Sequence, residues 1–293
     1  MPFIKLEIEI PDEYQEMLIA ELDAMDFSGF DQYDDHMVAW INAADMNDVN
    51  REAIEQLLLG IGKGAHIRSE EQVADTNWNE QWEQTIQPMK VGRFYITPSW
   101  ARGGEGENDP DLIILEIDPK MSFGTGYHET TRIMLRMMPE AIQELRERLQ
   151  KPADWQPETL DAGTGTGILG IAAIKLGAKS VFGFDIDDWS SVNTEENVLL
   201  NGVEGQFTVV QGDKGVIPDG ATYDLVLANI NRNILEDMSE TLTGRLRQGG
   251  TLMLSGLLEN DEEIIRNHNH YKDLTFIRKE QEGEWIGLVF VKE

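Results

Sequence analysis

Residues 161–170 read DAGTGTGILG: an acid, then four glycines spread through small, mostly apolar neighbours. Glycine at this density lets a backbone come close to a bound ligand, because no Cβ stands in the way. The run before it, ETLDA (158–162), reads as a strand, and ILGIAAIKLGA (168–178) continues as a helix. Strand, glycine turn and helix together aim a helix N-terminus at an anionic group. A dinucleotide, a nucleoside triphosphate and a methyl donor all use such turns, so the flanks must choose between them. No Gly-Lys-Ser/Thr closes the loop, which excludes a P-loop. The dinucleotide fingerprint is out of register: counting from Gly163 its third glycine falls on Ile168, and Gly165, Gly167 and Gly170 fit the spacing but begin two residues late. Asp185 ends the next strand, at the offset where a carboxylate accepts hydrogen bonds from a ribose diol.

Outward from this loop the chain reads as α/β. Strands are expected at 112–117, 158–162, 180–185, 206–211, 223–228 and 251–257, with helices between most of them. Near-continuous apolar runs such as SVFGFDI and YDLVLANI suit strands buried on both faces of a parallel sheet. At the end, LTFIRKE (274–280) and EWIGLVFVKE (284–293) flank a tight QEG, a hairpin signal that predicts an antiparallel last strand. The first seventy residues have their own rhythm. FIKLEIEI (3–10) alternates like a half-buried strand, DEYQEMLIAELDAMD (12–26) is spaced like a helix, and strands follow near Phe30 and at 37–43. A helix at 47–59 and a strand at 65–73 complete βαββαβ, the order of a ferredoxin-like α+β sandwich. The expected division is therefore 1–74 for a small N-terminal α+β domain, 75–100 for a connector helix and strand, and 101–293 for the larger α/β domain. A flexible joint is expected near 64–75, after GIGKG, and Trp78 and Trp82 share one face of the connector helix.

The 54 acidic and 24 basic residues give a formal net charge of −30. Such a field repels nucleic acid and anionic membranes and steers cationic partners inward, although acidity also serves solubility. Cysteine is absent, which excludes disulfides and thiolate zinc sites. The N-terminus lacks the basic and apolar regions of a signal peptide, and no apolar stretch is long enough to span a bilayer. A cytoplasmic, soluble monomer is expected.

Two further segments sharpen the reading. SFGTGYHETT (122–131) precedes a helical run, and LVLANINRNIL (225–235) ends the fourth main strand with Asn229. Together with LDAGTGTGILGIAAIKLGAKSVFGFDID, NWNEQWEQTIQPMKVGRFYITPSW and GGTLMLSGLL, they resemble the bacterial methyltransferases of large-subunit ribosomal protein eleven, over nearly the whole chain. The resemblance implies a class I Rossmann-like methyltransferase sheet and S-adenosyl-L-methionine as cofactor. It also implies a protein N-methyltransferase acting on lysine side chains and the N-terminal α-amine of that basic protein, which the N-terminal domain captures. Carried over position by position, it places cofactor contacts on Thr131, Gly163, Asp185 and Asn229. The chain departs from the family in reading T-G-T-G where Cys-Gly-Ser-Gly is common, and in following Asn229-Ile230 with the polar Asn231-Arg232.

Of the neighbouring residues, Gly165 belongs to the same turn, and Thr130 and Thr131 are expected to share helix capping and cofactor contact between them. Phe123 could shape the pocket wall or pack the core. Asn229 is the candidate for orienting the acceptor amine. His128 is read as a loop-ordering residue, since no partner ligands stand at metal spacing, and no metal is expected. NHNHY (267–271) reads as a solvated helix end. Enzymes that methylate planar nitrogens typically carry an aromatic residue where this chain has Arg232, which favours an aliphatic amine. The alternatives are a ribosomal-RNA methyltransferase on the same fold, an NAD-dependent dehydrogenase, and a non-catalytic ribosome-assembly factor that keeps the fold.

Overall fold

The computed structural model describes residues 3–62, 64–73, 86–120 and 122–293. The chain divides into two compact units, Met1–Trp78 and Asn79–Glu293. The connector helix expected from residue 75, with Trp78 and Trp82, lies outside the described residues.

In the first unit the βαββαβ order is present as β1 (Phe3–Glu9), α1 (Asp12–Asp23), β2 (Phe27–Gln32), β3 (His36–Asn42), α2 (Asp48–Ile61) and β4 (His66–Val73). The strands form one antiparallel sheet in the order β2-β3-β1-β4, the ferredoxin-like arrangement. Alternation along β1 turns Ile4, Leu6 and Ile8 toward Leu18 and Leu22 of α1 and Ile54 and Leu58 of α2. Asn47 caps α2, its side chain accepting from the Asn50 N–H at 3.0 Å. Most of the stretch expected as a flexible joint is β4, paired along its length with β1.

The second unit begins with a three-stranded sheet of β5 (Met89–Val91), β6 (Phe94–Thr97) and β7 (Ile113–Glu116). The strand expected at 112–117 is present as β7, which pairs in parallel with β6 and takes no part in the main sheet. The reason lies in its ties. Asn201 donates to the Glu116 carbonyl at 2.7 Å and accepts from the Glu116 N–H, and Asn197 accepts from the Asp118 N–H at 2.9 Å. The segment is thus tethered to the side of a helix, away from the strand edges. Because β6 and β7 pair across position 100, the 89–97 hairpin is part of the same unit as the catalytic sheet.

The chain continues through α3 (Glu129–Arg148), β8 (Glu158–Ala162), α4 (Ile168–Lys175), β9 (Ser180–Asp185), α5 (Asp188–Leu200), β10 (Phe207–Gln211), β11 (Tyr223–Asn229), α6 (Arg232–Arg245), β12 (Leu246–Leu258), α7 (Glu262–Arg266), β13 (Thr275–Glu282) and β14 (Trp285–Val291). The main sheet runs β10-β9-β8-β11-β12-β14-β13. Its first five strands are parallel and β14 is antiparallel to both neighbours, as the terminal hairpin predicts. Every residue of β11 is buried, and separate apolar clusters cover the two faces of the sheet. The NHNHY tract differs from its expectation at one residue: Tyr271 is fully buried, and its hydroxyl donates to the Leu235 carbonyl at 2.6 Å. Among the described residues no helix is long and apolar enough to cross a membrane.

Strand order reverses between β8 and β11. From β8 the chain steps outward to β9 and β10, then returns to the other side of β8. Such a switch point leaves a crevice beyond the carboxyl ends of the strands.

Candidate active site

A cavity of about 610 Å³ fills that crevice. It is within the usual range for small-ligand sites. Gly163, Gly165, Asp185, Asn229, Phe123 and Thr130 all line it. The glycine turn reaches its shape through left-handed backbone, with φ of +74° at Gly163 and +55° at Gly165. A Cβ at Gly165 would collide with the Phe123 carbonyl oxygen, so the loop 122–126 and the glycine turn fit together only without a side chain there. That same carbonyl accepts from the Thr166 N–H at 2.8 Å, and the Thr166 hydroxyl donates to the Gly124 carbonyl at 2.7 Å.

Asp185 joins the turn to the end of β9. One carboxylate oxygen accepts from the Gly165 N–H at 2.9 Å and the other from the Asp187 N–H at 3.1 Å. Asp187 has a different task, capping α5 by accepting from the Ser190 N–H at 3.0 Å. Across the switch point, Asn229 ends β11. Its amide nitrogen donates toward the Thr131 hydroxyl at 3.4 Å, while its Oδ1 is buried with no hydrogen-bond partner among the described residues. A buried amide oxygen left unpaired is costly and points to a ligand that completes it.

Of the two threonines, Thr130 lines the cavity, and the capping expected of one of them falls to another residue. Thr131 is fully buried and does not line the cavity; it holds Asn229 from behind. Neither threonine caps α3. His128 is the N-cap, its Nδ1 accepting from the Thr130 N–H at 3.3 Å and bonded to the Thr130 hydroxyl at 2.9 Å. The reading of His128 as a loop-ordering residue thus acquires a mechanism. Tyr127 secures the same loop from outside, its hydroxyl donating to the Gln87 carbonyl at 2.7 Å. Replacing Thr131 by Val keeps the volume but strands the Asn229 amide, so kcat is expected to fall about tenfold, for a loss of about 1.4 kcal/mol. Thr131→Ser is expected to stay within about threefold, and steady-state rates of the two variants at saturating cofactor check this.

The polar pair after Asn229-Ile230 also has a local explanation. Asn231 caps α6, accepting from the Ile234 N–H at 3.2 Å, and Arg232 bonds Asp261 at 3.0 Å. Arg232 therefore stands where its cationic end is engaged with an acid on another segment.

Asp161, the acid that opens the glycine stretch, is buried beneath the turn. Burial pushes its carboxyl up to about 8, against the pull of the Gly170 N–H, and the Asp185 charge pushes in the same direction. The Gly170 N–H reaches Oδ2 at 2.9 Å, whereas Oδ1 has no partner among the described residues. A carboxyl raised in the folded state binds its proton more tightly folded than unfolded, so stability declines as pH rises from about 4 to about 8. The thermal midpoint of the protein is expected to fall over that window. Asp161→Asn, which cannot ionise, should show a visibly shallower fall; parallel slopes in thermal melts at pH 5 to 8.5 would contradict this.

Several lining residues escaped the sequence reading, among them Gly212 and Asp213 after β10 and Trp285 at the start of β14. An acid just past a strand end was available as a signal. Trp285 had none, because only the antiparallel insertion of β14 beside β12 brings it to the crevice.

A parallel sheet with an inserted antiparallel strand, a glycine turn at the switch point and an acid at the end of the neighbouring strand define a class I methyltransferase. The family model described as Ribosomal protein L11 methyltransferase (PrmA) matches residues 6–293, and the chain belongs to that family. It is 33% identical over 290 residues to the ribosomal protein L11 methyltransferase of Chlorobaculum parvum, covering 98% of this chain and 95% of that one. To the protein of the same name from Porphyromonas gingivalis it is 36% identical over 305 residues, covering 100% and 99%. Among solved structures, the ribosomal protein L11 methylase of Lactobacillus delbrueckii subsp. bulgaricus matches with a TM-score of 0.59 at 30% identity, over 71% of this chain and all of that one. The chain is a methyltransferase, and its fold is the one read from the sequence.

Proposed function

We propose that the protein uses S-adenosyl-L-methionine to methylate amino groups of ribosomal protein L11, on lysine side chains and the N-terminal α-amine, in the cytoplasm. The observation that carries the amine assignment is the unpaired Oδ1 of Asn229 at the switch point. The cavity residues suit the cofactor: an acid at the end of β9 for a ribose diol, a turn that only glycines allow, and the start of α4 for a carboxylate. When bound, this cofactor supplies an electrophilic methyl already activated on a sulfonium.

The chain's own residues then have to align and to deprotonate. Asn229 Oδ1 accepts a hydrogen from the incoming amine and so directs the lone pair, with Thr131 fixing which way the amide faces. The nitrogen must arrive neutral. From an ordinary pKa near 10.4, this costs a lysine roughly 4–5 kcal/mol at pH 7, and an α-amine near 7.8 about 1 kcal/mol. Burying the amine in the cavity lowers that cost, since desolvation disfavours the ammonium. The −30 charge supports a basic partner, drawing it in faster at low salt, and argues against a direct grip on RNA.

Intact-mass spectrometry of unmethylated L11 incubated with the enzyme and S-adenosyl-L-methionine is the test. Mass increments of whole methyl groups, mapped to amines by peptide analysis, are expected. Labelled methyl appearing in ribosomal RNA and not in L11 would replace the reading with the RNA alternative.

A further inference from the structure

On the Asp185 side, the cavity is walled by two elements that are not neighbours in the sheet. β10 and β11 are separated by β9 and β8, three strand intervals or roughly 14 Å at ~4.8 Å each. Yet Lys214, in the short turn after β10, and Asp237, in the second turn of α6, both line the cavity. Their side chains meet. Lys214 Nζ donates to the Asp237 carboxylate at 2.6 Å and to the Asp237 carbonyl at 3.1 Å.

The rest of this segment has anchors of its own. At its start the Gly212 N–H donates to the Asp185 carbonyl at 2.7 Å, which ties the turn to the acid at the end of β9. Asp213 closes the turn on itself, its Oδ1 accepting from the Gly215 N–H at 2.8 Å. Ile217 is buried in the same apolar cluster as Leu235, Met238 and Leu242 of α6. Farther on, Arg245 at the end of α6 donates to the Pro218 and Ala221 carbonyls at 3.0 and 3.2 Å. The far end of the segment is thus held against α6 whatever Lys214 does. The cavity end is different: among the described residues, the Lys214–Asp237 contact is the only hydrogen-bonded link from 212–216 to α6. Asp237 is exposed and Lys214 half-buried, so the pair is weak and opens readily. Such a pair adds little to the fold, but it spans two walls of one cavity.

We propose that Lys214 and Asp237 form a latch across the donor side of the cavity. Closed, it keeps the cofactor seated; open, it lets the 212–216 turn lift and the cofactor leave. This rests on the S-adenosyl-L-methionine reading above. Lys214 and Asp237 are positioning residues in this arrangement, acting through the wall and not on the reacting atoms.

The test measures release of S-adenosylhomocysteine from the full-length enzyme by stopped-flow tryptophan fluorescence. Lys214→Ala and Asp237→Ala are each expected to release it about threefold faster, the size of an exposed ion pair. The double alanine variant should be no faster than Lys214→Ala, because the two residues make one contact. Lys214→Arg keeps the charge and should stay close to the parent. Raising salt from about 0.05 to about 1 M should quicken the parent toward the alanine variants and leave Lys214→Ala nearly unchanged. Single variants that keep the parent's rate, or single effects that multiply in the double variant, would overturn the proposal. A second measurement needs no ligand. In the free enzyme, hydrogen exchange at the Gly212, Gly215 and Val216 amides should be about threefold faster in Asp237→Ala, with the Ala221 amide unchanged. Equal exchange at 212–216 in variant and parent would also overturn the latch. Should the parent bind no S-adenosylhomocysteine in calorimetry, the cofactor reading fails, and hydrogen exchange still decides whether the pair latches this cavity.

Discussion

Asp185→Ala is expected to weaken S-adenosyl-L-methionine binding by about two orders of magnitude. The carboxylate has two attachments already, the Gly165 N–H at 2.9 Å and the Asp187 N–H at 3.1 Å, and these fix it at the end of β9 with lone pairs remaining for a diol. Hydrogen bonds to a charged acceptor contribute about 1.5–3 kcal/mol each, so two lost hydroxyl contacts amount to about 3 kcal/mol or more. Asp185→Asn should fall in between, near tenfold: the amide keeps one acceptor oxygen, but its NH₂ group would face either the Gly165 or the Asp187 N–H. Calorimetry gives the affinities, and thermal melts provide the control. Asp185 is only half-buried and its partners can turn to water, so a loss of about 1 kcal/mol and a drop of a few degrees are expected. Unchanged affinity in Asp185→Ala would remove the acid from the cofactor site altogether.

The fold was legible wherever a local pattern had a local cause. Alternation along residues 3–10 and helical spacing at 12–26 follow from which faces are buried, and both elements are present as β1 and α1. The terminal hairpin announced itself through QEG, and β14 is antiparallel as that signal requires. By contrast, 112–117 looks like any buried strand, and nothing within it records that Asn197 and Asn201, some eighty residues later, fasten it to the flank of α5. The site divided along the same line. Gly163, Gly165 and Asp185 lie within one strand–turn–helix–strand unit, so their spacing carries their geometry. The exchange of roles among His128, Thr130 and Thr131 depends on helix-cap geometry decided over two residues and on the end of β11, nearly a hundred positions away. Trp285 reaches the cavity only through strand insertion, a fact of topology that a sequence motif does not express.

Gly165→Ala is expected to be severely damaging for the addition of a single methyl group. With φ at +55°, an alanine there costs about 1 kcal/mol from backbone preference alone. The larger effect is steric. The added carbon would meet the Phe123 carbonyl oxygen, which is itself strapped to the Thr166 N–H, so two backbones would have to part. A flexible side chain could swing aside, but main chain held on both sides by hydrogen bonds cannot. Relief comes by displacing the loop 122–126, which also carries off Phe123 and disturbs the His128 cap that follows it. Cofactor affinity and turnover should therefore fall together, each by at least about a hundredfold if some 3 kcal/mol of site geometry is lost. The thermal midpoint should drop by several degrees. Gly60→Ala is the matched control: Gly60 is exposed in α2 with nothing within 4 Å of an added Cβ, and alanine there should be neutral or stabilising by up to about 1 kcal/mol. If Gly165→Ala bound the cofactor as well as the parent does, the interlock between the glycine turn and the 122–126 loop would have no part in forming the site.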